Sequence, residues 1–330
     1  MDVEDEDECI GPVGDANRAL DAEISRSPTG VEAAKEAYRR AIERDSNFAL
    51  GYAGLAGAYG YLAEYDYAPA RPALDSARMM AQKAVALDST LPETRTALAV
   101  VLGGDREFEA AEREFKLAIE LGPSNARAHY WYSVLLVALG RGEEALREAN
   151  RAEELDPFAP RGVTAMQRYA QWLISGDRPY LTVPVAERRF PVLKLEPGEP
   201  MALAADALDL AQQGNCADAR PEIRRAQQLA PGSMRMIQFV AAVHWWCGER
   251  ARARALNDEM KRLPRARDHG TRIAMMHVLF GEKDSAFAWL GSERWTLGKF
   301  SGQSADHRWD PLRSDTRYAE LLRSLGLRKR

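Results

Sequence analysis

ELGPSNARAHYWYSVLLVALGRGEEALREANRAEELDPFAP, residues 120–160, reads as two helices and the turn between them. The apolar run at 130–139 ends at Gly140, and glycine suits the left-handed residue that commonly closes a helix. The second segment sets Ala145, Ala149 and Ala152 at spacings of four and three, which places them on one helical face. Side chains that small let two helices approach closely, and Pro157 then ends the segment. The same order stands 34 residues earlier at Ala111, Phe115, Ala118 and Pro123. It returns at Ala34, Tyr38, Ala41 and Ser46, at Ala77, Ala81, Ala84 and Ser89, and at Ala219, Ile223, Ala226 and Pro231. A fixed period of this length marks a stack of supersecondary units, each burying its apolar face on the next.

Working outward, the units fall at 15–48, 49–91, 92–125 and 126–159, followed by a degenerate fifth unit at 160–199 and three more over 200–300. Unit two carries an insertion at 61–73, YLAEYDYAPARPA. Unit five holds Pro179, Pro184 and Pro191, which predict a short or broken second helix. Gly214, Gly248 and Gly281 repeat the turn glycine of Gly140. The segment 301–330 reads as a cap: Asp310 precedes Pro311, Asp315 starts a second helical pattern, and Tyr318, Leu321, Leu322 and Leu325 form one apolar stripe. The acidic residues of 1–14 read as a solvated, disordered tail. The expected architecture is an all-α, right-handed solenoid of about eight helical hairpins with a C-terminal capping helix.

Composition narrows the function. Of 330 residues 46% are apolar, yet no run of about eighteen apolar residues exists to cross a bilayer, so insertion into a membrane is not expected. The net charge of −4 is spread along the chain, which argues against a broad basic face for nucleic acid. Met1–Ile10 carries no apolar signal-peptide core, which makes the cytoplasm the default location. Three cysteines, Cys9, Cys216 and Cys247, are too few for a disulfide framework, and no Cys/His spacing suggests a metal. No cofactor motif appears: the row Gly51, Gly54, Gly57 and Gly60 lacks the strand and Lys-Ser/Thr of a phosphate loop. It reads as close helix packing, with Gly57 and Gly60 alternatively leaving room for a ligand backbone in a groove. No catalytic constellation is evident, so an enzyme is not expected.

The 34-residue unit resembles the tetratricopeptide repeat. Three passages, at 37–65, 145–160 and 309–327 after 281–290, are similar to the repeat regions found C-terminal to the output domains of bacterial signalling proteins, namely membrane-bound winged-helix activators, nucleotide cyclases and Ser/Thr kinases. No such output domain is present in this sequence. The resemblance implies a non-catalytic scaffold in bacterial signalling or regulation, or alternatively a small-molecule sensor portion of a larger protein.

In that fold the first helix of each unit lines the concave side. The groove residues are then Gly57, Gly60, Thr96, Val100, Arg127, Tyr130, Val134, Arg235, Gln238, Ala242 and Trp245. This surface is fairly apolar and fits a protein or peptide with an apolar or amphipathic segment. Trp245 is the favoured binding aromatic, while Trp131, Trp172, Trp289 and Trp295 read as core. His129, His244 and His277 occupy packing positions; His269 and His307 read as surface. Cys216 opens one helix and Cys247 closes an antiparallel neighbour, so the two are either a disulfide between adjacent units or separate half-buried thiols. The bonded form would go with an oxidising compartment such as the periplasm.

Overall fold

The computed structural model describes residues 28–65, 67–157, 162–175, 200–264, 266–290 and 307–327. They form an all-α helical-repeat fold with no strand among the described residues. The tail 1–14, Cys9, the prolines of unit five and Trp295 lie outside these residues, as does the side chain of Trp172.

The helices are α1 (Pro28–Arg44), α2 (Ala49–Glu64), α3 (Ala70–Leu87), α4 (Pro92–Gly104), α5 (Phe108–Leu121), α6 (Ala126–Ala138), α7 (Gly142–Leu155) and α8 (Gly162–Ser175). After these come α9 (Pro200–Gln212), α10 (Cys216–Leu229), α11 (Met234–Trp246), α12 (Arg250–Arg262), α13 (Gly270–Leu279), α14 (Lys283–Trp289), α15 (Asp310–Arg313) and α16 (Thr316–Ser324). Short 3₁₀ turns precede α13 and α15. Two compact bodies result, one carrying α1–α8 and the other α9–α16.

Within the first body α2 pairs with α3, α4 with α5 and α6 with α7, while α1 packs on α2 and α8 on α7. Within the second, α9 pairs with α10, α11 with α12 and α13 with α14. The alanine rows explain the tight pairing. Ala77, Ala81 and Ala84, then Ala111 and Ala118, then Ala145, Ala149 and Ala152 are all buried on the second helices. Phe115, in the row of Ala111 and Ala118, stacks on Tyr132 of α6 with ring centroids 5.7 Å apart. First helices also pack on first helices, α2 on α4, α4 on α6 and α6 on α8, and in the second body α9 on α11 and α11 on α13.

The turns repeat one geometry. At Gly140 the glycine N–H donates to Val137 O at 3.0 Å and the next N–H, of Arg141, to Leu136 O at 2.9 Å. Gly214, Gly248 and Gly281 do the same, each at a positive φ that an L side chain rarely adopts. Arg106 holds the corresponding place after α4, at φ 68°. Asn125, Asn215, Ser233 and Asp315 cap the following helices by accepting a backbone N–H. In the last segment Trp309, Leu312, Tyr318 and Leu322 are buried, and Arg317 bridges to Asp284 of α14 at 2.8 Å.

Candidate functional site

The first-helix row of the first body carries an aromatic cluster. The N–H groups of Tyr67 and Ala68 both donate to Leu62 O, at 2.8 and 3.1 Å, so the chain after α2 folds back on that helix. Tyr65 is thereby stacked between Tyr61, at 6.1 Å, and Tyr67, at 5.8 Å between ring centroids. Trp131 of α6 reaches Tyr61 of α2 at 6.3 Å although α4 packs against both helices, so the two rings meet over α4. Tyr130 tilts against Trp131 at 5.2 Å. Tyr61 is buried; Tyr65, Tyr67, Tyr130 and Trp131 are half-buried and keep part of each ring at the surface. Such rings combine apolar area with a polar tip and lose little side-chain freedom on binding.

The glycine row of α2 separates into two kinds. A β-carbon at Gly54 would overlap the Tyr38 ring, and one at Gly51 would press on Phe48. Gly57 and Gly60 are half-exposed, and a β-carbon at Gly60 would meet nothing within 4 Å. Val100, Arg127 and Tyr130 are half-buried on α4 and α6, so they present part of their surface. Thr96 and Val134 are 3% and 1% exposed, and the Thr96 hydroxyl is taken up by Pro92 O at 2.7 Å. Both side chains are therefore buried and leave almost no surface open.

On α11, Arg235 is half-buried while Gln238 and Ala242 are buried. The Gln238 amide is engaged by α13, donating to Met275 Sδ at 3.1 Å and accepting from Arg272 at 3.3 Å. Trp245 differs from the expectation of an open groove aromatic. Its ring lies 4.7 Å from that of Phe280, and the guanidiniums of Arg250 and Arg254 sit over it at 4.7 and 5.7 Å. Adjacent helical residues diverge by about 100°, and it is Trp246 that stays open, at 45% exposure. Trp131 is the counterpart correction, since it shares the half-buried cluster. Its one sequence signal was the aromatic run Tyr130–Tyr132, in which consecutive residues cannot all face inward.

The histidines carry hydrogen bonds that join helices. His129 Nδ1 meets Glu148 at 2.6 Å, His244 Nδ1 meets Glu249 at 2.8 Å and His277 Nδ1 meets Glu282 at 2.6 Å. Burial pushes the His277 imidazole below its ordinary value, against the opposing pull of Glu282. Glu112 is a strongly perturbed carboxyl. Burial would raise it, but hydrogen bonds from Lys116, Arg141 and Tyr132 prevail and hold it at about 2. Cys216 and Cys247 are bonded, with Cα atoms 5.6 Å apart, and the bond ties α10 to the turn after α11. Among the described residues no cluster of three or more His, Cys, Asp or Glu is arranged to hold a metal. No helix among them is long and apolar enough to cross a membrane.

Residues 104–169 match the family model described as tetratricopeptide repeat. No curated protein matches the chain. Among solved structures the chain is similar to pilF of Pseudomonas aeruginosa, with 22% identity over 64% of this chain and 93% of that one, at a TM-score of 0.43. It is similar to yeast Tom70, with 16% identity over 99% of this chain and 67% of that one, at 0.47. A third is YrrB, described as a TPR protein with an unusual peptide-binding site, with 18% identity over 69% of this chain and 92% of that one, at 0.29.

Proposed function

We propose that this chain, a tetratricopeptide-repeat protein, is a non-catalytic scaffold that holds an apolar or amphipathic segment of a partner protein on the first-helix row of its first body. The observation that supports the reading is the half-buried aromatic cluster of Tyr65, Tyr67, Tyr130 and Trp131. Part of each ring is already dry, so a ligand that covers the remainder removes apolar surface from water at small entropic cost. Gly57 and Gly60, with no side chain, leave room on α2 for a ligand backbone to come close. The proposed setting is bacterial signalling or regulation, following the resemblance of the repeats.

The test uses Gly60→Trp, which fills open space without touching the core, beside Trp131→Ala. Affinity capture from host lysate, followed by titration of the captured protein's binding segment, is expected to show a partner held by the wild type and lost by both variants. Unchanged capture by both folded variants overturns this placement.

A further inference from the structure

The buried row of α12 departs from its counterparts. In α1, α3, α5, α7 and α10 the middle place of the row is Tyr38, Ala81, Phe115, Ala149 or Ile223. In α12 the row is Ala253, Asn257 and Met260, and Asn257, 34 residues after Ile223, is 1% exposed. Burying a primary amide there is costly unless it is hydrogen-bonded. Its Nδ2 lies 3.3 Å from Nε2 of His277 on α13, while its Oδ1 is buried with no hydrogen-bond partner among the described residues. His277 is itself buried and meets Glu282 through Nδ1 at 2.6 Å. That carboxylate, which Arg254 also engages, keeps the proton of the neutral ring on Nδ1 and leaves Nε2 to accept from the amide.

His129 and His244 also pair with glutamates through Nδ1, but their Nε2 atoms meet other partners. His129 Nε2 meets Pro123 O at 3.2 Å, and His244 Nε2 accepts from Arg252 at 3.2 Å. A carbonyl only accepts and a guanidinium only donates, so neither partner can reverse its role. The Asn257 amide can do either, by turning over about its last side-chain bond. A second proton on His277 opposes the amide N–H as it stands, and the same turn brings the orphaned Oδ1 to Nε2. We propose that Asn257 and His277 form a proton-operated joint between α12 and α13: proton uptake at Nε2 turns the amide over, and Oδ1 accepts the new N–H. The proton comes from solvent and Nδ1–H stays on Glu282. The joint thereby changes from a neutral bond beside an orphaned oxygen to a charge-assisted one. The inference does not rest on the reading given to the first body.

Burial, the largest influence on His277, disfavours its second proton. Glu282 at the head of α14 and Asp258 of α12 favour it, Lys261 of α12 disfavours it, and Arg254 acts through Glu282. Arg272 lies on α13 itself, and the other elements packed on that helix carry Arg235 and His244 on α11, Lys283 and Asp284 on α14, Arg267, Asp268 and His269 in the preceding 3₁₀ turn, and Arg308 in the turn before α15. Among the described residues none of these is a hydrogen-bond partner of His277.

Nitrogen-15 NMR of the full chain, labelled at histidine ring and asparagine side-chain nitrogens, follows the joint, with His277→Gln and Asn257→Ile supplying the assignments. At neutral pH the expected species is the Nδ1–H imidazole. On acidification His277 is expected to take its second proton below the ordinary imidazole value near 6.5, and the Asn257 amide resonances to move at the same midpoint. Isoleucine stands at the equivalent place in α10, so Asn257→Ile suits the packing. In that variant His277 is expected to bind its second proton about tenfold more weakly, with the His129 resonances unchanged. An Nε2–H tautomer at neutral pH, an Asn257 amide that stays still while His277 titrates, an unchanged midpoint in the folded variant, or unfolding before His277 titrates overturns the proposal. The wild-type amide resonances read the turn whether or not the variant folds.

Discussion

At Gly54 a β-carbon would strike the Tyr38 ring, whereas at Gly60 it would find open space. Gly54→Ala is therefore expected to cost about 1–3 kcal/mol through overpacking. Gly60→Ala is expected to gain about 0.5–1 kcal/mol, because alanine restricts the unfolded chain and favours the helix. Thermal denaturation of the two variants checks both signs. Arg106 supplies a second residue-scale expectation. It adopts φ 68° where the corresponding turns at Gly140, Gly214, Gly248, Gly281 and Gly326 use glycine, and a β-carbon in that conformation is strained. Arg106→Gly is expected to raise stability by about 0.5–1 kcal/mol, with the gain reduced by glycine's greater freedom when unfolded. An unchanged or lower Tm would show that the arginine side chain compensates. In the sequence the α2 glycines are one row, in which Gly57 and Gly60 could be assigned to a groove; that Gly54 lies under the Tyr38 ring is not legible from spacing, because that ring belongs to another helix.

Between elements, the hairpins are joined by a recurring ion pair. Arg78 of α3 binds Glu107 at the head of α5, Glu112 of α5 binds Arg141 at the head of α7, Arg220 of α10 binds Glu249 at the head of α12, and Arg254 of α12 binds Glu282 at the head of α14. Three of the four are 29 residues apart and the second has its signs reversed. Exposed members contribute little, about 0–1 kcal/mol each, but the titrating groups in these joints, among them Glu112, Glu249, Glu282 and His277, set an acid limit. Glu112 is held at about 2, below its ordinary value near 4.5, so its contribution is complete above that value and is lost as pH falls through the interval. His277 is depressed by burial, so its contribution is complete above an ordinary imidazole value near 6.5 and declines as pH falls below it. Both run the same way. Stability is expected to fall in two stages on acidification, the lower stage on the order of 2 kcal/mol. Glu112→Gln is expected to reduce the lower stage, to which Glu249 and Glu282 also contribute, and His277→Gln the upper, as urea unfolding across pH would record. The helices and their alanine strips were legible because each lies within one unit. The ion pairs were not, because a period of 29 spans a unit boundary and shifts sign within the series. Trp245 escaped for a similar reason: its cover comes from α12 and α13.

At the scale of the molecule, each body stacks hairpins that pack chiefly on their neighbours, with the Tyr61–Trp131 contact reaching across α4, so stability is close to a sum of local interfaces. The Cys216–Cys247 bond crosses one such interface, between the α9–α10 and α11–α12 hairpins, and closes a loop of sequence separation 31. Cross-linking across a loop of that length reduces the freedom of the unfolded chain and stabilises by about 2–4 kcal/mol. The described residues of the first body contain no cysteine. Treatment with dithiothreitol is therefore expected to lower the transition of the second body and leave that of the first in place. Differential scanning calorimetry on the full chain reads both, and Cys216→Ser plus Cys247→Ser is expected to reproduce the shift and to remove further sensitivity to the reductant. A single transition moving as one would mean that the bodies unfold cooperatively, and an unchanged scan would mean that the two thiols carry no bond in solution.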